Sequence, residues 1–358
     1  MKQTFVPADR EFHRTRKMSY IPLLSLCLIL LAILPQPLQS LEPLSMGIIG
    51  LGAMGFGAYF KEYTYCKFTE CCDDRSIPAR IDLLKRSLDE TLIGQHIVKQ
   101  HVVSALKAHI NANSKSRKPL VISFHGQPGT GKNFVSEQIA DALYLLGSKS
   151  SYVTKYLGQA DFPNQSMVDA YKNRINIEVR NSLRRCPRSL FIFDEVDKMP
   201  SGVFDTLTSL VDYNAFVDGT DNTKAIFIFL SNTAGSHIAG HLGSVMMNGM
   251  LREDTRLSDF EPLLMKAAYN MDGGLRRTTM IESHVIDHYI PFLPMEKGHV
   301  VKCLEAEFYR LNHNPERTEN QKIIEDIISS SISYDRTHGL FAISGCKTLE
   351  KKVSMAIN

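Results

Sequence analysis

The sequence has no strong excess of charge of either sign. Its 358 residues carry a formal net charge of +3, which is too small an imbalance to indicate a nucleic-acid-binding surface. The densest basic group, Arg180, Arg184, Arg185 and Arg188, is best explained as a solvated helix face. Hydrophobic residues make up 44% of the chain and charged residues 22%, so we expect a folded globular protein and not a disordered one.

The chain also lacks internal repeats and the cysteine or histidine patterns typical of zinc sites. Cys71 and Cys72 are adjacent, without the spacing that zinc sites use. His284 and His288 have no glutamate between them and no evident third ligand, so we interpret them as structural. The apolar run Ile21–Leu34 contains about 14 residues, whereas a membrane-spanning helix needs about 20.

The N-terminal region is nevertheless typical of a secretory signal peptide, because basic residues precede the apolar run and prolines follow it. We expect residues 1–40 to be the signal, with cleavage after Ser40. An uncleaved anchor is the alternative, since Leu38 is unfavourable two residues before that cleavage site. The glycine-rich stretch Met46–Phe60 follows, and it is either a buried strand or helix or, as we favour, part of a membrane-associating segment at residues 41–65 that lies in one leaflet.

Secretion would expose the cysteines to an oxidising compartment. Of the seven cysteines, Cys27 lies inside the signal, and the remaining even number favours disulfides without defining their pairing. These six are Cys66, Cys71, Cys72, Cys186, Cys303 and Cys346. Asn164 begins an Asn-Gln-Ser sequon, so we expect N-glycosylation at Asn164 if this region enters the secretory pathway.

The most informative stretch is residues 125–134, HGQPGTGKNF. It reads G-x-x-x-x-G-K-N, one residue away from the phosphate-binding loop G-x-x-x-x-G-K-[ST]. An apolar run predicts a strand before it, and apolar residues at helical spacing predict a helix after it, which is the context that this loop requires. A chance glycine turn is the alternative. The predicted nucleotide-binding residues are Gly126, Gln127, Pro128, Gly129, Thr130, Gly131, Lys132 and Asn133.

The chemistry of these residues suits a polyphosphate. Glycines allow backbone N–H groups to approach phosphate oxygens closely, and the N-terminus of the following helix is electropositive. Lys132 supplies a cation for the β and γ phosphates. Asn133 stands where a metal-binding hydroxyl is usual, so an amide would join the metal shell.

Two further predicted strands end in polar residues. The apolar run 189–193 precedes Asp194 and Glu195, and the run 223–230 precedes Ser231 and Asn232. In open α/β sheets, ligands bind at the carboxyl edge of such strands. We expect Asp194 to hold Mg²⁺, Glu195 to orient and deprotonate a water, and Asn232 to contact that water or the γ-phosphate. An exposed acidic turn and a plain turn asparagine are the alternatives.

These stretches together resemble the torsin family, a divergent branch of the AAA+ ATPases found in the endoplasmic reticulum lumen. The likeness covers most of the chain after about Tyr65, and the asparagine that follows the loop lysine is itself a torsin trait. Its most specific pieces are CKFTECC at 66–72, GTGKNF at 129–134, FIFDE at 191–195 with DKM at 197–199, FIFLSN at 227–232, ID at 286–287 with PFLP at 291–294, and GCK at 345–347.

The resemblance implies an α/β P-loop NTPase fold. Residues 66–294 would form the large domain, a parallel five-stranded sheet between helices, and residues 295–358 a small helical lid with the second sensor. The implied cofactors are ATP and Mg²⁺. Lys132 would be the phosphate lysine, Asp194 the metal-shell acid, Glu195 the catalytic glutamate, Asn232 the first sensor and Lys347 the second sensor.

The resemblance also implies two disulfides. Cys303 would pair with Cys346, which would couple the thiol state to nucleotide contact at Lys347, and Cys66 would pair with Cys186.

The implied function is that of an ATPase in the endoplasmic reticulum lumen and perinuclear space, which remodels proteins or membranes. Type II membrane proteins of these membranes (lamina-associated polypeptide 1 and its relatives) would insert an arginine finger from a luminal domain, so turnover should be weak without such a partner. Peripheral membrane association and a homo- or hetero-oligomer are expected, and binding to nucleic acid is not. Arg252 and Arg256 lie in a suitable region, but no motif marks either as a finger.

Two alternative functions remain at this point. One is a nucleotide-gated binding or scaffold module with little hydrolysis of its own. The other is a cytosolic Clp-like unfoldase. The aromatic-glycine pore loop of Clp unfoldases is not visible in the sequence, and the nearest candidates, Tyr156-Leu157-Gly158 and Phe162, match it poorly.

Overall fold

The computed structural model of the protein describes residues 66–111, 116–213, 216–217, 219–335 and 339–357. The predicted signal peptide and membrane-associating segment therefore lie outside the described residues. The chain divides into two compact units, residues 1–68 and 69–358, and a short turn of helix at Cys66–Phe68 is what is described of the first. Within these described ranges, no helix has the length and apolar character needed to cross a membrane.

The second unit is built on a parallel sheet. Five strands pair side by side in the order β2-β3-β6-β1-β7, and two short antiparallel pairs, β4-β5 and β8-β9, lie outside this sheet. The strands are β1 Leu120–Gly126, β2 Val153–Leu157, β3 Leu190–Asp194, β4 Phe216–Val217, β5 Thr220–Asp221, β6 Ile226–Ser231, β7 His288–Phe292, β8 Met295–Glu296 and β9 Phe341–Ala342.

Helices cover both faces of the sheet, as the family resemblance implies. They are α1 Ile81–Thr91, α2 His96–Asn111, α3 Lys132–Leu143, α4 Gly158–Asp161, α5 Val168–Arg185, α6 Thr208–Val211, α7 Gly235–Met247, α8 Leu257–Asn270, α9 Thr279–Glu282, α10 Lys297–Arg310, α11 Thr318–Ser331 and α12 Leu349–Ile357. The helices α1 and α2 are separated by Gly94, which adopts a left-handed φ of 68° between them.

The alternation of side chains along the strands explains why the sheet is buried on both sides. Phe191 stacks on Phe227 and Phe193 on Phe229, with ring centroids 4.8 and 5.1 Å apart, and these rings pack against α5, α7 and α8. The intervening aliphatic residues, such as Ile192, face α1, α2 and α3 instead. Because both faces are apolar, the strands read as continuous hydrophobic runs in the sequence.

Sequence patterns alone do not reveal β7. This strand contains Pro291, and its first residue, His288, belongs to the pair of histidines that we interpret as structural. In the structure β7 is the outermost strand beside β1, with Pro291 opposite His125. Proline has no N–H to donate, and an edge strand tolerates it because one side of the strand has no neighbour.

A third hydrophobic cluster is formed by residues from Met295 to Val353. It joins α10, α11 and α12 with the β8-β9 pair, which is the content expected of the helical lid. The predicted boundary between residues 294 and 295 stays a prediction.

One predicted disulfide is wrong. Cys186 pairs with Cys72, not with Cys66, and the two Cα atoms are 5.5 Å apart. The reason is tertiary: the segment around Cys72 lies alongside the residues that follow α5, and Asp74 of this segment accepts a hydrogen bond from Arg188 at 2.6 Å. Cys66 is held in another disulfide.

Candidate nucleotide-binding site

The predicted phosphate-binding loop connects β1 to α3. Gly129 and Gly131 have φ values of 81° and 105°, in the left-handed region that favours glycine. A Cβ atom at Gly126 would lie 2.6 Å from the carbonyl oxygen of Phe292, so only a residue without a side chain fits there. Residues 128–134 of this loop and of α3 line a cavity of about 680 Å³, which is large enough for a nucleotide.

Lys132 is buried at the base of the loop. Its Nζ donates to the carbonyl oxygens of Gly126 at 2.7 Å and Gln127 at 2.9 Å. Burial lowers the pKa of Lys132 to about 8, although Asp197 and Asp194 favour the charged form. A desolvated ammonium group that is neutralised only in part has a strong tendency to bind an anion, so this lysine fits a phosphate group.

Asp194, at the end of β3, lies next to the first turn of α3. Its Oδ2 accepts a hydrogen bond from Nδ2 of Asn133 at 2.6 Å and an ion pair from Nζ of Lys155 at 3.3 Å. This arrangement leaves the amide oxygen of Asn133 and the other carboxylate oxygen as hard oxygen ligands, which is what Mg²⁺ prefers. The residues present therefore fit the predicted metal.

Glu195 follows directly and has an unusual backbone. Its φ and ψ are 55° and 45°, a left-handed conformation that a non-glycine residue adopts at a cost of about 1–3 kcal/mol and that clusters at functional sites. Its Oε1 accepts a hydrogen bond from Nζ of Lys198 at 2.7 Å. That bond raises the pKa of Lys198, so the lysine is a stable counter-ion for the proposed catalytic carboxylate.

Asn232 lies at the end of β6 and is held by a residue that sequence analysis missed. The backbone N–H of Asn232 donates to Oδ1 of Asp197 at 2.8 Å, and its side-chain Nδ2 lies 3.5 Å from Oδ2 of the same carboxylate. Asp197 therefore orients Asn232, the residue predicted as the first sensor. The sequence signal was available, since Asp197 is part of the stretch at 197–199 that supports the family resemblance.

The lid supplies the other wall of the cavity. The disulfide between Cys303 and Cys346 is present, as predicted, and both residues line the cavity together with Lys347. The N–H of Cys346 donates to the carbonyl oxygen of Gly129 at 3.2 Å, so the lid contacts the phosphate-binding loop directly. This contact places Lys347 at the predicted site although it lies more than 200 residues along the chain from Lys132.

Three residues considered for an arginine finger or a pore loop are buried in the structure. Arg252 is only 3% exposed and donates to the carbonyl oxygens of Gly94 and Pro294, so it is not free to act as an arginine finger. Tyr156 and Phe162, the nearest matches to a pore loop, are 4% and 1% exposed within the core. Neither ring is available to grip a threaded polypeptide.

Asn164 lies on the surface, where its side chain accepts hydrogen bonds from the N–H and hydroxyl of Ser166. Its position is compatible with the sequon, and glycosylation stays a prediction.

Comparison with known proteins identifies the family. The family described as Torsin matches residues 66–193. A "Torsin-like protein" of Drosophila melanogaster is 78% identical over 340 residues, which cover 95% of this chain and 99% of the relative. The chain belongs to the torsin family. A "Torsin-like protein" of Caenorhabditis elegans is 35% identical to this torsin chain over 305 residues, which cover 85% of each protein.

Two solved structures share the fold of this torsin-family chain. The Saccharomyces cerevisiae Hsp104–ADP complex superposes with a TM-score of 0.52 at 16% identity, covering 87% of this chain and 54% of the Hsp104 chain. A closed-state Hsp104 with ATPγS and casein gives the same TM-score, 0.52, at 15% identity, covering 83% of this chain and 49% of that chain. At these identities the likeness concerns the fold alone.

Proposed function

We propose that this torsin-family protein binds ATP with Mg²⁺ and hydrolyses it slowly by itself. The observation that carries the proposal is the convergence of five predicted residues on one cavity: Lys132, Asp194, Glu195, Asn232 and Lys347. They come from the loop, two strand ends and the lid, so the fold brings together residues that are dispersed in the sequence.

Each side chain has a distinct role in hydrolysis. Lys132 and the amides of the loop hold the β and γ phosphates. Asp194 and Asn133 would hold Mg²⁺, which would supply charge neutralisation for the phosphates. Glu195 orients a water and accepts its proton. Asn232, fixed by Asp197, holds the water or the γ-phosphate in line.

We further propose that a partner supplies the missing arginine. None of the residues that line the cavity in the described ranges is an arginine. Arg252 is buried and donates its hydrogen bonds within the protein. An arginine finger contributes about 10³- to 10⁵-fold elsewhere. The partner class is the luminal domain of type II membrane proteins of the nuclear envelope and endoplasmic reticulum, related to lamina-associated polypeptide 1.

The disulfides support a location in the endoplasmic reticulum lumen and perinuclear space. Cys72–Cys186 and Cys303–Cys346 are both formed, and such bonds persist in oxidising compartments. There the protein would remodel proteins or membranes as a chaperone, in peripheral contact with the membrane and as a homo- or hetero-oligomer.

ATP hydrolysis by the mature chain, measured with and without such luminal domains, tests the proposal. We expect slow turnover alone and a rise of about 10³-fold or more with the right partner. Glu195→Gln should retain ATP binding and lose turnover, while Lys132→Ala should lose binding. If calorimetry at millimolar ATP detects no binding, and Lys132→Ala behaves like the wild type, the proposal is wrong.

A second candidate function is a nucleotide-gated scaffold. The ion pair between Glu195 and Lys198 at 2.7 Å favours it, because a carboxylate held by an ammonium is a poorer base. Glu195→Gln separates the two functions: a scaffold would keep its cellular activity in this variant, whereas a remodelling ATPase would lose it.

A further inference from the structure

Asp194 carries an ion pair that neither the phosphate-binding motif nor the acidic motif requires. Nζ of Lys155 lies 3.3 Å from Oδ2, and the side chains of Lys155 and Asp194 are 33% and 9% exposed. The same oxygen accepts the amide of Asn133 at 2.6 Å. The carboxylate proposed to hold Mg²⁺ is therefore already neutralised by an ammonium group of the same chain.

The register of the sheet explains how this lysine reaches the site. In the β2-β3 pair, Leu157 lies opposite Asp194 and Lys155 opposite Ile192. Lys155 is thus diagonal to Asp194, and side chains two residues apart share one face of a strand. The flexible lysine stem extends along this face toward the carboxyl edge.

A simpler explanation exists for a lysine at this place. β2 is the outermost strand on its side of the sheet, and exposed lysines commonly protect such edges from pairing with other chains. A lysine that only protects an edge, however, needs no partner in the protein and can leave its ammonium group in solvent. The ammonium of Lys155 instead lies beside Asp194, the least exposed carboxylate of the site. Protection of the sheet edge does not explain this position.

We propose that Lys155 is an internal counter-ion of Asp194 that competes with the divalent metal and so sets the Mg²⁺ concentration that ATP binding requires. The inference rests on the proposed function of the site. Two cations cannot share one carboxylate without repulsion, and this repulsion is strong where the carboxylate is desolvated. Mg²⁺ binding at the other carboxylate oxygen of Asp194 must therefore overcome the repulsion of the ammonium of Lys155 on Oδ2.

The test is an equilibrium titration with a fluorescent ATP analogue, first in EDTA and then with increasing Mg²⁺. In Lys155→Gln, we expect the Mg²⁺ concentration for half-maximal tightening of ATP binding to fall about tenfold, since the variant has no competing charge. Affinity in EDTA should change much less, because Lys155 is not among the residues that line the cavity.

Two further variants make the test specific. Lys155→Arg keeps the charge and should retain the wild-type Mg²⁺ requirement. Lys172 provides a matched control, because it also forms an ion pair, with Asp205 at 3.6 Å, and its side chain is 30% exposed. Lys172→Gln should leave the Mg²⁺ requirement unchanged, and thermal unfolding of each variant should show an intact fold.

The outcomes separate this inference from the proposed function. If ATP binding is normal and Lys155→Gln keeps the wild-type Mg²⁺ requirement, or needs more Mg²⁺, then Lys155 is an edge residue or a support for Asp194, and the inference alone is refuted. If the wild-type protein binds no ATP under either condition, the proposed function is wrong and the inference falls with it.

Discussion

Replacement of Arg252 by methionine should destabilise the fold and should not act as the loss of an arginine finger. The guanidinium is 3% exposed and donates to Pro294 O at 2.8 Å, to Glu296 Oε1 at 3.0 Å and to Gly94 O at 2.7 Å. It therefore ties the segment between α1 and α2 to the start of the lid. Methionine would fill the volume of the stem but would leave these three acceptors without their donor.

The expected cost is about 3–5 kcal/mol, the range measured when one partner of a buried ion pair is removed. Because Glu296 is partly exposed, with 29% of its side chain accessible, water can recover part of its hydrogen bonding, and the lower end of this range is favoured.

Urea unfolding of the protein, followed by circular dichroism, measures this cost as a shift of the midpoint at constant slope. Arg256→Gln is the matched control: Arg256 is four residues away and exposed, so we expect a change within about 0.5 kcal/mol. A stable Arg252→Met protein that binds ATP normally and loses only its stimulation by a partner would refute the structural role argued here.

Three other changes test the geometry of the site. Gly129→Ala should weaken ATP binding at least about tenfold in calorimetry, since φ is 81° and the new Cβ would lie 2.2 Å from Ser344 O; wild-type affinity would contradict the close contact. Because burial lowers the pKa of Lys132 to about 8 and phosphate binding needs its charged form, ATP affinity should fall as the pH rises above 8; a flat profile to pH 9.5 would contradict this. Asp197→Ala should lower kcat, measured by phosphate release, through a misplaced Asn232, while Asp197→Asn should retain more activity because an amide oxygen can still accept that hydrogen bond; equal kcat values would argue against this role.

The sequence predicts the parts of the fold that depend on local pattern. The apolar run before the phosphate-binding loop and the run at 223–230 predict strands, and the structure has strands there, at 120–126 and 226–231. β7 could not be recognised in this way, because Pro291 suggests a break and only the neighbouring β1 shows that the strand exists. Its place at the edge of the sheet, which makes proline acceptable, is a property of the whole fold.

The candidate site likewise contains residues that the sequence predicts and contacts that only the whole fold determines. Lys132, Asp194, Glu195 and Asn232 belong to short motifs whose chemistry can be read from residue types, and the structure brings them to one cavity. The ion pair of Lys155 with Asp194 depends on the register of two strands, and sequence patterns do not specify register between distant segments. The predicted partner of Cys186 is wrong for a similar reason. Cys66 and Cys72 both precede α1, and only tertiary contacts determine that Cys72 is the partner.

The lid meets the phosphate-binding loop mainly through backbone atoms. A Cβ atom at Gly345 would lie 2.4 Å from Gly129 O, and one at Gly129 would lie 2.2 Å from Ser344 O, so the two chain segments touch with no room for side chains between them. Cys346 adds a hydrogen bond from its N–H and the disulfide to Cys303 on α10. The position of this lid segment is therefore set at three consecutive residues, immediately before Lys347. We therefore expect the Cys303–Cys346 disulfide to hold the backbone immediately before Lys347, the residue predicted as the second sensor.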